Sequence, residues 1–138
     1  MSLRQFYPRK NSRRQVAPWK LYSLYLTLAI AIGLQISYPL IDGEVLRVVT
    51  IATVYWAAAA MFLHAIFAYG IVYAIQFLSI TFTYALVIEQ IGSRTGWPFG
   101  VYEYDASLGV QLFGVPLIVP CAWVMMVHPC LCAARRIA

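Results

Sequence analysis

Charge is scarce in this 138-residue chain, because only 11% of its residues are Asp, Glu, Lys or Arg while 62% are hydrophobic. Ten of the charged residues are basic and five are acidic. Soluble globular domains usually carry about 25% charged residues, so the composition excludes an ordinary soluble domain. The mean hydropathy of +0.74 indicates a membrane protein instead.

Cysteine is scarce as well, with Cys121, Cys130 and Cys132 all in or near the last apolar run. An odd number argues against a disulfide framework, and the Cys130-x-Cys132 pair lacks the second half that a zinc site would show. We interpret the three cysteines as small apolar packing residues. The cysteine pattern therefore predicts no metal site.

Four apolar runs are long enough to cross a bilayer, whose hydrocarbon core of about 30 Å needs about 20 helical residues. They cover residues 21–38, 48–67, 70–91 and 112–134. The predicted fold class is all-α, a polytopic membrane protein with about four transmembrane helices. We expect a basic tail at residues 1–18, a four-helix transmembrane domain at 19–138, and a re-entrant or interfacial cap loop at 92–111 between the third and fourth helices.

Most of the basic residues lie at the two ends of the chain. Those before or at the start of the first span are Arg4, Arg9, Lys10, Arg13, Arg14 and Lys20, and those after the last are Arg135 and Arg136. By the positive-inside rule, both termini should face the cytoplasm and the cap loop should lie outside. The same distribution indicates contact with anionic lipid and argues against nucleic acid as a partner.

The stretch "IEQIGSRTGWPFGVYEYDASLGVQLFGVPLIVP" contains three of the five acidic residues. Glu89 falls at the outer end of the third helix, where an ionisable group is a candidate functional residue. In the loop, Tyr102 and Tyr104 share one face if the chain is extended and Glu103 and Asp105 share the other, whereas a helical turn would mix them. Either arrangement brings carboxylates close to aromatic rings, so we predict the functional site here.

Polar side chains recur on one face of the third helix at Gln76, Ser79, Thr83 and Gln90. Because unpaired amides and hydroxyls are disfavoured against lipid, we expect this face to point into the protein, either for contact with other helices or for contact with a substrate.

Two other features of the helices are interpreted structurally. His64 and His128 lie near the inner helix ends and are expected to be hydrogen-bonded structural residues. Pro116 and Pro120 fall on one face of the last span, so this helix should be kinked or interrupted in its outer half.

The motifs "EQIGSRTGWPFGVYEYDASLG" and "LFGVPLIVPCAWVMM" match the pattern E-x-x-G-x-x-T-G-x-P-F-G-x-Y-x-Y, then L-G, G-V-P, V-P and A-W-x-M-M. Over residues 76–130 the chain thereby resembles the bacterial and archaeal carotenoid-biosynthesis membrane proteins, which include carotenoid 1,2-hydratases (γ-carotene 1'-hydroxylases) and bisanhydrobacterioruberin hydratases. The resemblance implies an integral protein of a bacterial or archaeal cytoplasmic membrane. Since family members continue through further helices, we expect this chain to correspond to an amino-terminal half.

The resemblance also implies a reaction, the addition of water to the terminal C1=C2 double bond of an acyclic, lycopene-like carotenoid. No cofactor is expected, because water is the net change. Protonation of a trisubstituted alkene needs a buried, strong acid, for which Glu89 is the expected residue, while Glu103 or Asp105 is expected to hold the water. The expected substrate contacts are Trp97, Phe99, Tyr102, Tyr104, Trp123, Gln76 and Thr83.

A second interpretation comes from a different class of protein. The chain would then be a non-catalytic subunit that binds carotenoid or supports a larger pigment complex, or one half of a split enzyme whose further helices come from a second membrane chain. A small transporter is disfavoured, because no span has a charged residue at its centre.

Overall fold

The computed structural model describes residues 17–98 and 100–137. The basic tail predicted at residues 1–18 lies almost wholly outside the described residues. Within the described residues, four helices are long and apolar enough to cross a membrane. They are α1 (Pro18–Ile36), α2 (Gly43–Tyr69), α3 (Ile71–Thr95) and α4 (Ile118–Ile137). The predicted all-α class with four candidate membrane spans is confirmed.

Short connections join the first three helices. A 3-10 turn at Tyr38–Leu40 links α1 to α2, and the first turn of α2 carries an ion pair between Glu44 and Arg47. Between α2 and α3 stands a single residue, Gly70, with a φ of 94°. Glycine adopts such a positive φ without the penalty that a Cβ would impose. The chain therefore reverses within one residue, and α2 and α3 are antiparallel neighbours as the sequence predicts.

Helix α2 lies at the centre of the bundle and packs against α1, α3 and α4, while α3 also packs against α4. The buried contact positions are mostly small, namely Ala58, Ala60, Ala65, Ala74 and Ala85. Lipid tails are as apolar as the side chains, so the hydrophobic effect does not drive helices together in a membrane. Small side chains let the helix backbones approach closely, and the resulting van der Waals contacts favour association instead. Many large apolar side chains point outward, Ile80 with 70% of its surface exposed among them, as expected of helices that face lipid.

The stretch before α4 differs from the prediction. Residues predicted to start a span at 112 instead form a small antiparallel hairpin, with β1 at Gln111–Leu112 and β2 at Val115–Pro116. Its turn holds Phe113 and Gly114 at positive φ angles of 55° and 86°. The hydropathy of this stretch is high, but its backbone is not helical, so the predicted start of the fourth span was wrong.

The prolines explain where α4 begins. Pro116 ends the hairpin, and Pro120 lies in the first turn of the helix, where the missing N–H has no helical acceptor in any case. The predicted interruption in the outer part of this segment is confirmed as a non-helical stretch before Ile118. Pro129 lies inside the helix.

The polar face of α3 does not point into this bundle. The side chains of Gln76, Ser79 and Thr83 are exposed, so the expectation that they face the interior was wrong for the described chain. Instead α3 turns the buried residues Ala74, Phe77, Thr81, Ala85, Glu89 and Gly92 inward. Close packing on α2 and α4 selects the smaller side chains for the contact face, and polarity did not decide it.

Candidate functional site

Glu89 is a buried carboxylate near the end of α3, with 8% of its surface exposed. Two phenols of the following loop donate hydrogen bonds to its Oε2 atom, Tyr102 Oη at 2.8 Å and Tyr104 Oη at 2.6 Å. The indole Nε1 of Trp123, on α4, donates to Oε1 at 3.1 Å. Three donors from two other segments of the chain therefore meet at one carboxyl group.

The loop brings both tyrosines to Glu89 because residues 102–105 have no helical turns. Alternate side chains of an extended segment point the same way, and the rings of Tyr102 and Tyr104 meet edge to face with centroids 5.3 Å apart. Glu103 and Asp105 point the other way and are exposed. Of the two arrangements left open by the sequence, the structure has the extended one.

Two glycines allow the loop to fold back onto α3. Gly96 ends the helix in the left-handed conformation, with a φ of 74°. One turn earlier, Gly92 lies directly under the Tyr102 hydroxyl, since a Cβ on Gly92 would stand 2.5 Å from Tyr102 Oη. The absence of a side chain at position 92 is what lets the phenol reach the carboxylate.

The site keeps its phenols protonated. Burial and then the hydrogen bond to Glu89 raise the pKa of Tyr104 well above its usual value, and they raise the pKa of Tyr102 in the same direction. A phenol can donate a hydrogen bond only while it is in its neutral, protonated form. Both tyrosines thus keep their hydroxyl protons across the physiological pH range and can donate hydrogen bonds to Glu89.

An apolar cavity of about 570 Å³ lies beside this group, between α2 and α4. Val54, Leu108, Ile118 and Met126 line it, and Trp123 forms part of its wall. Ligand pockets typically measure about 300–1,000 Å³ and combine apolar walls with a few polar groups. Trp123 belongs both to the hydrogen-bonded group around Glu89 and to the wall of the cavity.

The family model described as carotenoid biosynthesis protein matches residues 44–138. The chain belongs to this carotenoid biosynthesis family. Its match includes all four residues that meet at the buried carboxyl, Glu89, Tyr102, Tyr104 and Trp123. No curated protein matches the chain, and no solved structure matches it. The resemblance drawn from the sequence motifs is confirmed at the level of the family.

The other predicted site residues of this carotenoid biosynthesis protein that the structure describes make no hydrogen bond to the Glu89 carboxyl group. Trp97 has 68% of its surface exposed, and Gln76 and Thr83 are exposed on the outer face of α3. Phe99 lies outside the described residues. Within the part of the chain that the structure describes, neither Glu103 nor Asp105 hydrogen-bonds to Glu89.

Asp105 has a local role instead. Its Oδ1 atom accepts a hydrogen bond of 2.7 Å from the backbone N–H of Ser107 and caps the 3-10 turn at Ala106–Leu108. This backbone N–H lowers the pKa of the Asp105 carboxyl, because it stabilises the charged form. The carboxylate thus shapes the loop that presents the two tyrosines.

One cluster of polar side chains was missed by the sequence interpretation. His64 on α2 meets His128 and Cys132 on α4, although His64 and His128 were each treated as separate helix-end residues. Sixty-four positions separate the two histidines, so no local spacing reveals the contact. The i, i+4 spacing of His128 and Cys132, which puts both on one face of a helix, was the one signal available.

Proposed function

We propose that the protein is a carotenoid hydratase that adds water to the terminal C1=C2 double bond of an acyclic carotenoid end group. The observation that supports it best is a buried carboxyl group, Glu89, held by three donors, one of which, Trp123, also lines an apolar cavity. An apolar polyene needs such a cavity, and its hydration needs an acid at the cavity's edge. Because the chain belongs to the carotenoid biosynthesis family, a carotenoid is the substrate class that we propose.

The proposed reaction starts with proton transfer from the Glu89 carboxyl group to C2 of the alkene. The electron pair of the double bond forms the new C–H bond and leaves a tertiary carbocation at C1. A water oxygen then bonds to C1, and the resulting oxonium returns its proton to the Glu89 carboxylate. The sum is addition of one water molecule, and the acid is restored, so no oxidant, reductant or cofactor takes part.

The three donors have different capacities in this scheme. The indole N–H of Trp123 can only donate, whereas the phenolic hydroxyls of Tyr102 and Tyr104 can donate and also accept. A proton on Glu89 is therefore accommodated at Oε2, on the tyrosine side, while Trp123 keeps its bond to Oε1. The tyrosines thus connect Glu89 to the loop surface and form a path along which a proton can be replaced.

Aromatic rings near the cavity would stabilise the cation. The Trp123 ring stands edge to face with that of Tyr84, with centroids 5.9 Å apart. A cation within about 6 Å of an aromatic face gains about 0.5–2 kcal/mol, depending on how far it is desolvated. Trp123 is the ring best placed for this role because it borders the cavity.

Glu103 and Asp105, one of which was expected to hold the attacking water, are exposed, and the proposed scheme assigns them no step. In the proposed scheme Glu89 itself receives the proton of that water, so a second carboxylate is not needed. We further propose that both termini face the cytoplasm and that the loop with the tyrosines lies on the outer side, on the basis of the terminal basic residues.

Expression in a host that makes lycopene tests the proposal, because a hydrated product is heavier by one water molecule. The Glu89→Gln variant keeps the shape of the side chain but has no proton of carboxylic acidity to give. Loss of a positioned general acid costs about 10²- to 10⁴-fold in rate, so we expect the hydrated product to disappear. Glu103→Gln is the matched control, since it makes the same change on an exposed side chain, and it should retain hydration.

Two results would contradict the proposal. Hydration by Glu89→Gln at the wild-type rate would remove Glu89 as the acid. Wild-type protein that is folded, copurifies with unaltered carotenoid and gives no hydrated product would exclude the chain as a hydratase on its own. That second result would favour the alternative, a carotenoid-binding subunit or one half of a split enzyme.

One observation favours this alternative. Gln76, Ser79 and Thr83 form an exposed polar face on α3, although amides and hydroxyls in a bilayer need hydrogen-bond partners. A further helix packed on this face, supplied by a second membrane chain, would satisfy them. Coexpression that restores hydration to an inactive wild-type chain would support the split enzyme.

A further inference from the structure

Two imidazoles and a thiol meet at the end of the bundle away from Glu89. His64 Nδ1 lies 2.9 Å from His128 Nε2, and Cys132 Sγ lies 3.7 Å from the same Nε2 atom. All three donor atoms lie within 4.8 Å of one another. His64 comes from α2 and the other two residues come from α4, so the packing of these two helices creates the cluster.

We propose that His64, His128 and Cys132 bind one divalent transition metal ion, for which zinc has the best matching chemistry. Zinc takes imidazole nitrogen at about 2.0 Å and thiolate sulfur at about 2.3 Å in tetrahedral geometry. Ligands at those lengths stand ~3.3 Å apart for two nitrogens and ~3.5 Å apart for nitrogen and sulfur. The separations of 2.9 Å between the two imidazole nitrogens and 3.7 Å between His128 Nε2 and Cys132 Sγ are close to these values, and the third pair lies within 4.8 Å, so rotations of the side chains would enclose an ion.

The set of donor atoms also selects the class of metal. Imidazole and thiolate suit zinc and its neighbours in the first transition row, whereas magnesium and calcium prefer carboxylate and carbonyl oxygen. Three protein ligands leave a fourth position open, and the Tyr69 hydroxyl lies 3.8 Å from Cys132 Sγ. Of the pair Cys130-x-Cys132, Cys132 belongs to the cluster, and the two histidines supply the other ligands.

The cluster lies partly buried beside Tyr69 and Arg135. The guanidinium of Arg135 stacks over the Tyr69 ring at 4.8 Å, and the Tyr69 hydroxyl lies 3.8 Å from Cys132 Sγ. His128 is buried, and His64 and Cys132 are half-buried, so the three side chains that would bind the ion are largely screened from water. The His128 ligand atom would be Nε2, the atom that faces His64 and Cys132.

This cluster is separate from the proposed catalytic group. The His128 ring contacts Phe77, with ring centroids 5.3 Å apart, and Glu89 follows Phe77 by twelve residues on the same helix. At a rise of 1.5 Å per residue, that spacing is about 18 Å along α3. The metal would therefore hold α2 against α4 and take no part in the transfer of a proton to substrate.

Titration with Co²⁺ tests the proposal on the full-length wild-type protein in detergent, purified through a tag without histidine. Cobalt takes the same ligands as zinc, and thiolate coordination gives an intense near-ultraviolet absorption band. We expect one equivalent of Co²⁺ to bind, with that band, and Zn²⁺ to displace it. Because the thiol must lose its proton and the imidazoles must be neutral, binding should weaken as the pH falls.

Cys130→Ser provides the matched control for Cys132→Ser, because it removes an exposed cysteine two positions away that is not in the cluster. We expect Cys130→Ser to bind Co²⁺ like the wild type. Cys132→Ser should lose the thiolate band and bind more weakly by more than the roughly 10- to 100-fold that loss of an outer-shell partner costs.

The wild-type titration decides the matter even if a variant fails to fold. Wild-type protein that binds less than half an equivalent of Co²⁺, or that binds it without a thiolate band, would overturn the proposal. A band of wild-type intensity in Cys132→Ser would overturn it too, because the sulfur ligand would then be another cysteine.

Discussion

The contact between Gly92 and Tyr102 gives a quantitative test of how the carboxylate site is assembled. In Gly92→Ala the new Cβ would stand 2.5 Å from Tyr102 Oη, so the phenol must move away. It would lose its hydrogen bond of 2.8 Å to Glu89 Oε2 and its longer one of 3.3 Å to the Glu89 carbonyl oxygen. The substitution should therefore disconnect one of the three donors without altering Glu89 itself.

Two opposite effects determine how much Gly92→Ala changes the free energy of unfolding. A hydrogen bond to a charged group contributes about 1.5–3 kcal/mol, and because Tyr102 is only half-buried we take the lower end, about 1.5 kcal/mol. Alanine in place of glycine stabilises a helix interior by about 1 kcal/mol. The free energy of unfolding of Gly92→Ala should therefore fall by about 0.5 kcal/mol.

In a Tyr102→Phe background the same substitution should have the opposite sign. Without the hydroxyl, the nearest ring atoms lie 3.4 Å from the position that the new Cβ would occupy, which is a tolerable contact. The only effect should then be the higher helix propensity of alanine, which raises the free energy of unfolding by about 1 kcal/mol. The coupling free energy between positions 92 and 102 is the difference, about 1.5 kcal/mol, within the range measured for residues in direct contact.

Unfolding of the four proteins of this cycle in detergent, followed by circular dichroism, measures the coupling. Gly33→Ala is the control for helix propensity, because Gly33 lies inside α1 and a Cβ there would meet no atom within 4 Å. If Gly92→Ala changes stability equally in the presence and absence of the Tyr102 hydroxyl, the argument for the close approach is wrong.

Two further predictions concern the loop. Ser107→Cys should react with an impermeant maleimide added outside intact cells, to a greater extent than the wild type. Reaction only after the cells are permeabilised would contradict the proposed orientation of the loop. Because the pKa of Tyr104 is raised on folding, the stability that this phenol supplies is present below its unfolded pKa of about 10 and is lost as the pH rises through its folded pKa. The stability difference between wild type and Tyr104→Phe should therefore be constant from pH 7 to about 9.5 and shrink above about pH 10, and a constant difference up to pH 11 would contradict this assignment.

The number and order of the helices could be predicted because hydropathy and bilayer thickness determine them almost alone. The start of α4 could not, because hydropathy does not distinguish an apolar hairpin from an apolar helix. What marks the hairpin is the pair of positive φ angles at Phe113 and Gly114, and phenylalanine gives little local sign of such a conformation.

The inward face of α3 was mispredicted for a different reason. The prediction relied on the cost of unpaired amides and hydroxyls against lipid, but the close approach of α3 to α2 and α4 decided which side of the helix is buried. The better signal was the stripe of small residues at Ala74, Thr81, Ala85 and Gly92, whose steps of four or seven residues keep them on one side of the helix. Glu89 lies on this same stripe.

The candidate site was predicted in part because its members are close in sequence. Glu89, Tyr102 and Tyr104 belong to one segment, so alternation along an extended loop was enough to bring them together. The contact of His64 with His128 and Cys132 depends instead on how α2 crosses α4, which no local pattern encodes.

The sequence order of the donors has a consequence for the way in which the protein is made. Trp123 follows Glu89 by 34 positions, and at synthesis rates of about 5–20 residues per second that interval takes about 2–7 s. During this time α3 can already occupy the membrane while its carboxylate lacks the indole of Trp123, and before the first 13 to 15 of these residues are made it lacks the two phenols as well. The cost of an unpaired charge in lipid holds that end of α3 at the water boundary, so the helix waits at the correct depth until the loop and α4 arrive to cover it.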